Sequence, residues 1–208
     1  MDESSLRFVR RNTPISLKGR SICLAPLNDS YLDALCAEGL SPSLWQSTTI
    51  QLLTRDDMIT FVRKALDDRD RGTAIPFVIL ETASGRLIGS TRFHSIDVEN
   101  RHLEIGFTWI SVPWQRTSVN TEAKYLMLRH AFEVMDYIRV EFRADTQNER
   151  SRRALTRIGA REEGVLRNYR ISAGRGIRDL AVYSILANEW PQVRSDLEGK
   201  LRLRARGE

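Results

Sequence analysis

The sequence predicts a single α/β domain in which a mixed sheet carries helices on both faces. Apolar periodicity switches from the alternation of strands to the spacing of helices and back again. The order runs strand, helices, a meander of strands, then strand–helix–strands. No internal repeat, low-complexity linker or Pro/Gly-rich break divides the chain, and its 208 residues suit one domain with a sizeable core.

Residues 15–27, ISLKGRSICLAPL, alternate as a strand ending at Pro26. Asn28 or Asp29 then caps a helix near 30–39, closed by Gly39. Residues 55–70 place Met58, Ile59, Phe61, Val62, Ala65 and Leu66 at helical spacing, and Gly72 ends that helix. Ile75–Glu81 and Arg86–Ser95 read as a hairpin around the turn residues TASG, with His102–Ile110 as a third strand beside them.

The period then lengthens. Val119, Ala123, Leu126, His130 and Val134 share one helical face, so 119–135 reads as an amphipathic helix. A short strand over 138–144 precedes a helix over 148–158 that Gly159 stops. Strands over 161–171 and 178–186 flank the turn SAGRG, and the C-terminal segment reads as a helix that frays. The core of the domain is expected at about 15–192, with a basic helix or tail over 193–208.

Composition narrows the class. Hydrophobic residues make up 41% and charged residues 28%, as in an ordinary water-soluble domain. Cys23 and Cys36 match no metal-ligand or redox spacing, which fits free thiols in a reducing compartment. The N-terminal MDESSLRFVRRN has five charged side chains in its first eleven residues and no apolar stretch of signal length. No span of about 18 apolar residues appears, so a cytoplasmic location away from membranes is expected. The net charge of +5 gathers at RFVRR and KLRLRAR. RFVRR holds the single aromatic Phe8 and KLRLRAR none, so neither run has the repeated aromatics of a base-stacking surface and nucleic acid is not the expected partner.

The most informative stretch is LEIGFTWISVPWQRTSVNTEAKYLML, residues 103–128. A strand enters a short loop, and the loop opens an amphipathic helix. The loop from Gln115 to Asn120 is polar and holds no acid. A helix N-terminus exposes unpaired N–H groups and the positive end of the macrodipole, so this loop can hold a pyrophosphate. Arg116 would add a charge or a bidentate contact to phosphate oxygens. The alternative is that Asn120 or Thr121 is a plain helix cap.

This stretch resembles motif A of the GNAT acetyltransferases, Q/R-x-x-G-x-G/A ahead of a helix. Gln115, Ser118 and Asn120 take the matching positions, so both glycines are replaced. Asn tolerates a left-handed backbone better than most residues, and Ser less readily. V-N-T-E-A-K at the helix start resembles a variant recurring in the ribosomal-protein (Rim-type) branch. The block 145–169 is similar to the family's next segment, with Asn148 three residues before Ser151 and then Ile158-Gly159-Ala160. REEGVLRNY and RDLAVYSIL resemble its closing strands, so the likeness covers roughly 15–192.

The resemblance implies a GNAT fold, mostly antiparallel, whose two central parallel strands, here 102–110 and 138–144, splay around acetyl-CoA. The pantetheine arm would pair with backbone groups around Trp109 and Ile110. The pyrophosphate would lie on the loop running from Gln115 through Arg116, Thr117, Ser118, Val119 and Asn120 to Thr121. Asn148 would face the pantetheine or the thioester. Attack by the amine is direct in this family, so neither cysteine is needed and no metal is implied.

Ser151 matches a position used to protonate the leaving thiolate, unless it only satisfies backbone groups in a first helical turn. Glu104, on a strand lining the cleft, is the first candidate base; a surface or ion-paired role is its alternative. Where relatives can use a Glu after the EG motif, this chain has Arg170, with Tyr169 beside it as a second candidate. His94, His102 and His130 lack partners at metal spacing, and His130 is expected to be packed. Trp45 could line an acceptor loop or the core. The resemblance favours a protein N-terminal α-amine as acceptor, with small-molecule amines as the alternative. A CoA-binding domain without catalysis is a further alternative. Relatives are often homodimers.

Overall fold

A computed structural model describes residues 15–46, 48, 50–172 and 176–204. The basic run near the N-terminus, the centre of the SAGRG turn and the last four residues fall outside them.

The strands are β1 (Leu17–Lys18), β2 (Ile22–Pro26), β3 (Ile75–Glu81), β4 (Leu87–Asp97), β5 (His102–Ile110), β6 (Arg139–Asp145), β7 (Arg161–Ser172) and β8 (Gly176–Leu186). The helices are α1 (Leu32–Gly39), α2 (Pro42–Trp45), α3 (Arg55–Asp70), α4 (Val119–Arg129), α5 (Glu149–Arg157) and α6 (Trp190–Arg204). The strands form one sheet in the order β1-β2-β3-β4-β5-β6-β8-β7. Every neighbouring pair is antiparallel except β5 and β6.

Alternation along β3 shows how the sheet divides the core. Phe77 and Ile79 pack with Ala123, Leu126 and Met127 of α4 and with Val193 and Leu197 of α6. Val78 packs on the other face with Leu35 of α1 and with Met58, Phe61 and Ala65 of α3. Helix α3 starts at a capping box in which Thr54 and Asp57 each accept from the other's backbone N–H. Such a cap is worth about 1 kcal/mol.

The expected strand over 15–27 is two strands. Gly19–Ser21 turn the chain, Gly19 N donates to Ile22 O at 2.9 Å, and Leu17 and Lys18 fold back on Leu24 and Cys23. The expected helix over 119–135 is α-helical only to Arg129 and closes in a π turn, His130–Val134. His130 stacks on Phe93 at 6.3 Å between centroids, as a packed residue does. Burial lowers its pKa.

Two irregularities shape the centre of the sheet. Between β4 and β5 the register shifts so that Ser90 faces Trp109 but Arg92 faces Gly106. Phe107 and Thr108 therefore oppose the single Thr91, and Phe107 adopts φ 51°. This is a β-bulge, which bends a strand and re-aims its side chains. On the other side β5 pairs with β6 only at His102, Leu103 and Glu104.

Candidate active site

Beyond Glu104 and Glu141 the two parallel strands part, and a cleft of about 900 Å³ opens between them. One wall is β5 from Glu104 to Ile110; the other is Phe142–Asp145 of β6 with the first turns of α5. The loop after β5 closes one end, and Tyr169 and Arg170 of β7 stand at its rim.

The loop is built for tight turning. Trp114 ends a 3-10 turn, Arg116 takes φ 65°, and Thr117 Oγ1 donates to Trp114 O at 2.7 Å. Ser118 caps α4 at φ −70° without a side-chain bond, and Thr117 Oγ1 accepts from Val119 N at 3.3 Å. The left-handed residue is thus Arg116. Neither Ser118 nor Asn120, which take the places of the motif glycines, needs that conformation, since Asn120 lies within the helix.

Gln115 spans the cleft end, with Nε2 donating to Ile110 O at 3.0 Å and Oε1 accepting from Arg150 at 2.8 Å. The Ile110 carbonyl thus points away from β4, whereas a Cβ on Gly89 of β4 would meet the Trp109 carbonyl at 2.3 Å. Ile110 therefore offers its backbone to the loop side and Trp109 to β4. The Trp109 ring packs against Trp45 at 6.2 Å, and Trp45 Nε1 donates to Gly39 O at 2.8 Å. Trp45 is buried.

Arg116, Arg150, Arg153 and Arg157 line the loop end of the cleft. Glu122 in the first turn of α4 is buried on the far side, where it accepts from backbone N–H groups of Arg20 and Ser21. Thr121 is buried, and its Oγ1 receives Arg157 at 3.5 Å. Asn148 Oδ1 accepts from Ser151 N at 3.0 Å, so Asn148 caps α5 while lining the cleft. Ser151 is half-buried and also lines it.

Where the strands part, charges converge. Glu104 is 7% exposed, with Oε1 at 3.4 Å from His94 Nε2 and Oε2 at 3.5 Å from Arg143 Nε. Arg143 also binds Glu141 at 2.7 Å and donates to the Tyr169 hydroxyl, so it links both candidate bases. Burial opposes the Arg143 charge, but Glu104 and Glu141 more than offset it and raise its pKa. Burial likewise works against the Glu141 charge, and bonds from Arg139 and Arg143 still hold its pKa below the usual value.

Beneath the bulge, Lys124 of α4 is enclosed, and burial takes its pKa down to about 7 against the pull of Glu104. Among the described residues, no group of three or more His, Cys, Asp or Glu could hold a metal ion. No described helix is long and apolar enough to cross a membrane.

The cluster contains Lys124 and Arg143, which sequence reasoning did not single out, and His94, which it weighed only as a metal ligand without partners. His94 meets Glu104 only through strand register. Lys124 sits beside Ala123 on the buried side of its helix. Arg143 left a signal, because Arg139, Glu141 and Arg143 alternate with apolar residues on a central strand. A charged row there marks a face that is not packed.

Comparison with known proteins agrees with this geometry. The acetyltransferase (GNAT) domain model matches residues 21–161. YdaF of Bacillus subtilis (strain 168), a proposed ribosomal N-acetyltransferase, is 37% identical over 106 residues, 51% of this chain and 57% of YdaF. That match spans little more than half of YdaF. The crystal structure of a proposed acetyltransferase from T. thermophilus superposes with TM-score 0.80 at 34% identity, covering 90% of this chain and 97% of that one. Mycobacterium smegmatis RimJ in complex with CoA-disulfide shares the fold, with TM-score 0.78 at 23% identity over 92% of this chain and 97% of RimJ. A family model spanning most of the chain, on a sheet parted between β5 and β6, establishes that the chain belongs to the GNAT acetyltransferase family.

Proposed function

We propose that the protein transfers the acetyl group of acetyl-CoA to a protein N-terminal α-amine. The parting of β5 from β6 beyond Glu104, with an acid-free, arginine-lined loop at the end of the cleft, carries this reading. RimJ with its CoA-disulfide and the ribosomal designation of YdaF support it by likeness.

The residues present suit the cosubstrate. The loop from Gln115 to Thr121 lies at the positive end of α4, and Arg116, Arg150 and Arg153 supply cations for phosphates. The edge of β5 past Glu104 has no neighbouring strand, and Asn148 lies across from it. Acetyl-CoA supplies an activated acyl carbon and a thiolate leaving group.

The chain's own groups then divide the work. A backbone N–H on the opened edge of β5 polarises the carbonyl, as a preorganised donor does in a water-poor site. Glu104 takes the proton of the amine as the new N–C bond forms. The C–S bond breaks, and Ser151 gives the thiolate a proton that solvent restores. Tyr169 lies behind Arg143 and is the second candidate for the base.

A small-amine acceptor is the second reading, favoured by the apolar side chains Leu44, Ile50, Phe61 and Phe107 in the cleft lining. Calorimetric titration with acetyl-CoA, then CoA release against peptides and small amines, decides between them. Release with peptides of free N-terminus establishes the first reading, and release with small amines alone establishes the second. Binding without release on any acceptor identifies a CoA-binding domain without catalysis. Absence of binding refutes the loop assignment.

A further inference from the structure

We propose that His94 is a positioning residue that holds Glu104 as an oriented, anionic base by donating its Nε2–H to the carboxylate; this rests on the reading of Glu104 as the base.

His94 and Glu104 face each other across β4 and β5. Nε2 lies 3.4 Å from Glu104 Oε1, is inaccessible to solvent, and makes no hydrogen bond of good geometry. The ring is fixed from several directions. A Cβ on Gly106 would lie 2.4 Å from Nε2, so only glycine leaves room there. The Phe107 ring meets the imidazole edge-on at 4.9 Å. Nδ1 lies 3.1 Å from Ser95 Oγ, and Ser95 is turned back by φ 49° where the β4–β5 register breaks after His94.

Hydrogen-bond inventory then assigns the proton. A carboxylate only accepts, so a buried ring nitrogen facing it at this distance must carry the hydrogen. In the neutral ring Nδ1 is then the acceptor, and the Ser95 hydroxyl donates to it. The contact is long for a hydrogen bond, as catalytic contacts are before substrate arrives. The other charged groups about the pair are Glu141, opposite Glu104 on β6, with Arg143 bridging the two carboxylates, Lys124 on α4, and Arg92 on β4, whose guanidinium lies 4.0 Å from the Phe107 ring centroid. On α3, Asp68 acts on Arg92. His94 differs in that it reaches Glu104 from the adjacent strand through a single N–H donor.

The test is kcat/KM against pH for His94→Phe, His94→Gln, Ser95→Ala and Glu104→Gln, with acetyl-CoA affinity by calorimetry. Glu104→Gln loses roughly 10²- to 10⁴-fold if Glu104 is the base. His94→Phe removes the donor, lowers kcat/KM about tenfold near neutral pH and moves the acidic limb to higher pH, because the carboxylate then holds its proton more tightly. His94→Gln keeps an N–H donor and recovers most of the loss, acetyl-CoA affinity stays within about twofold, and His94→Phe adds nothing in the Glu104→Gln background. Ser95→Ala moves the limb the same way, less far, and carries the test if His94→Phe does not fold. An unmoved limb in a folded variant, or a loss equal at every pH without rescue by Gln, overturns the proposal. Full activity of Glu104→Gln removes the base assignment and this inference together. An inactive Glu104→Gln beside a silent His94→Phe removes this inference alone.

Discussion

Lys124 Nζ donates to Thr108 Oγ1 at 2.8 Å, tying the first turns of α4 to the bulge of β5. Thr108 Oγ1 in turn lies 2.8 Å from Thr91 Oγ1 on β4, so one polar chain runs from helix to strand to strand beneath the cleft. The Phe142 ring faces the amine at 5.7 Å from the other wall. Burial takes the lysine down to about 7, so near neutral pH it adds only part of a positive charge below the site. An acceptor that arrives as an ammonium benefits from that.

This burial predicts how stability follows pH. The folded value lies below the ordinary 10.5, so between about 7 and 10.5 the unfolded chain binds more protons than the folded one. Stability from this group therefore rises with pH across that window, and its cost is fully present below about 7. The slope is at most about 1.4 kcal/mol per pH unit. Urea denaturation of wild type and Lys124→Met isolates the effect, with wild type gaining on the variant from about pH 7 to about pH 10. A constant difference across the window would show that Lys124 keeps its proton.

The loop and α5 assignments separate binding from turnover. Asn120 lies in the first turn of α4 and lines the cleft without occupying a left-handed position. Asn120→Ile is expected to weaken acetyl-CoA binding about tenfold with little change in unfolding midpoint, since one lost polar contact is worth about 1.4 kcal/mol. Ser151→Ala is expected to lower kcat while affinity holds. Unchanged affinity in a folded Asn120→Ile protein counts against the loop, and equal loss of kcat and affinity in Ser151→Ala makes Ser151 a binding residue.

Much of the architecture was legible because period and punctuation agree: α3 begins after Thr54 and ends before Gly72, and β3 and β5 fall where alternation places them. The turn at Gly19 left only a slip of phase, from Ile15 and Leu17 at odd positions to Ile22 and Leu24 at even ones, and the acid that pins it lies about 100 residues away. The polar, acid-free loop at 115–120 is visible in local pattern, whereas Glu104 stood out as a candidate only through the family resemblance that sets its strand along the cleft. His94, Arg143 and Lys124 could not be found in either way, because strand register and the bulge at Phe107 bring them together.

The outer sheet supplies an acid-side prediction. Arg139 donates to Glu163 at 2.5 Å, Ser184 Oγ adds a bond at 2.6 Å, and the Glu163 pKa falls to about 2. The folded value is depressed, so this stabilisation is present above about 4.5 and is lost as pH falls from about 4.5 to about 2. The Glu163 side chain is 39% exposed, and screening limits the effect to under about 1 kcal/mol. Glu163→Gln is therefore slightly less stable than wild type near neutral pH, and the two converge in acid. Denaturation midpoints that stay apart at low pH would assign the difference to packing.

Glu122 holds the turn that the sequence concealed. Its carboxylate is buried, accepts from the backbone N–H groups of Arg20 and Ser21, and lies where a Cβ on Gly19 would be 2.3 Å from Oε1. Glu122→Ala leaves both donors without their partner, at a cost of about 2–3 kcal/mol, so its urea midpoint falls well below that of wild type. Gly19→Ala keeps the carboxylate but pushes it off the turn, and a fall of similar size assigns the stability to geometry. If Glu122→Ala falls and Gly19→Ala does not, the turn yields to the extra methyl and the carboxylate follows it. A midpoint unmoved in Glu122→Ala shows that water replaces the carboxylate without loss, and the link between β1, β2 and α4 then rests on apolar packing alone.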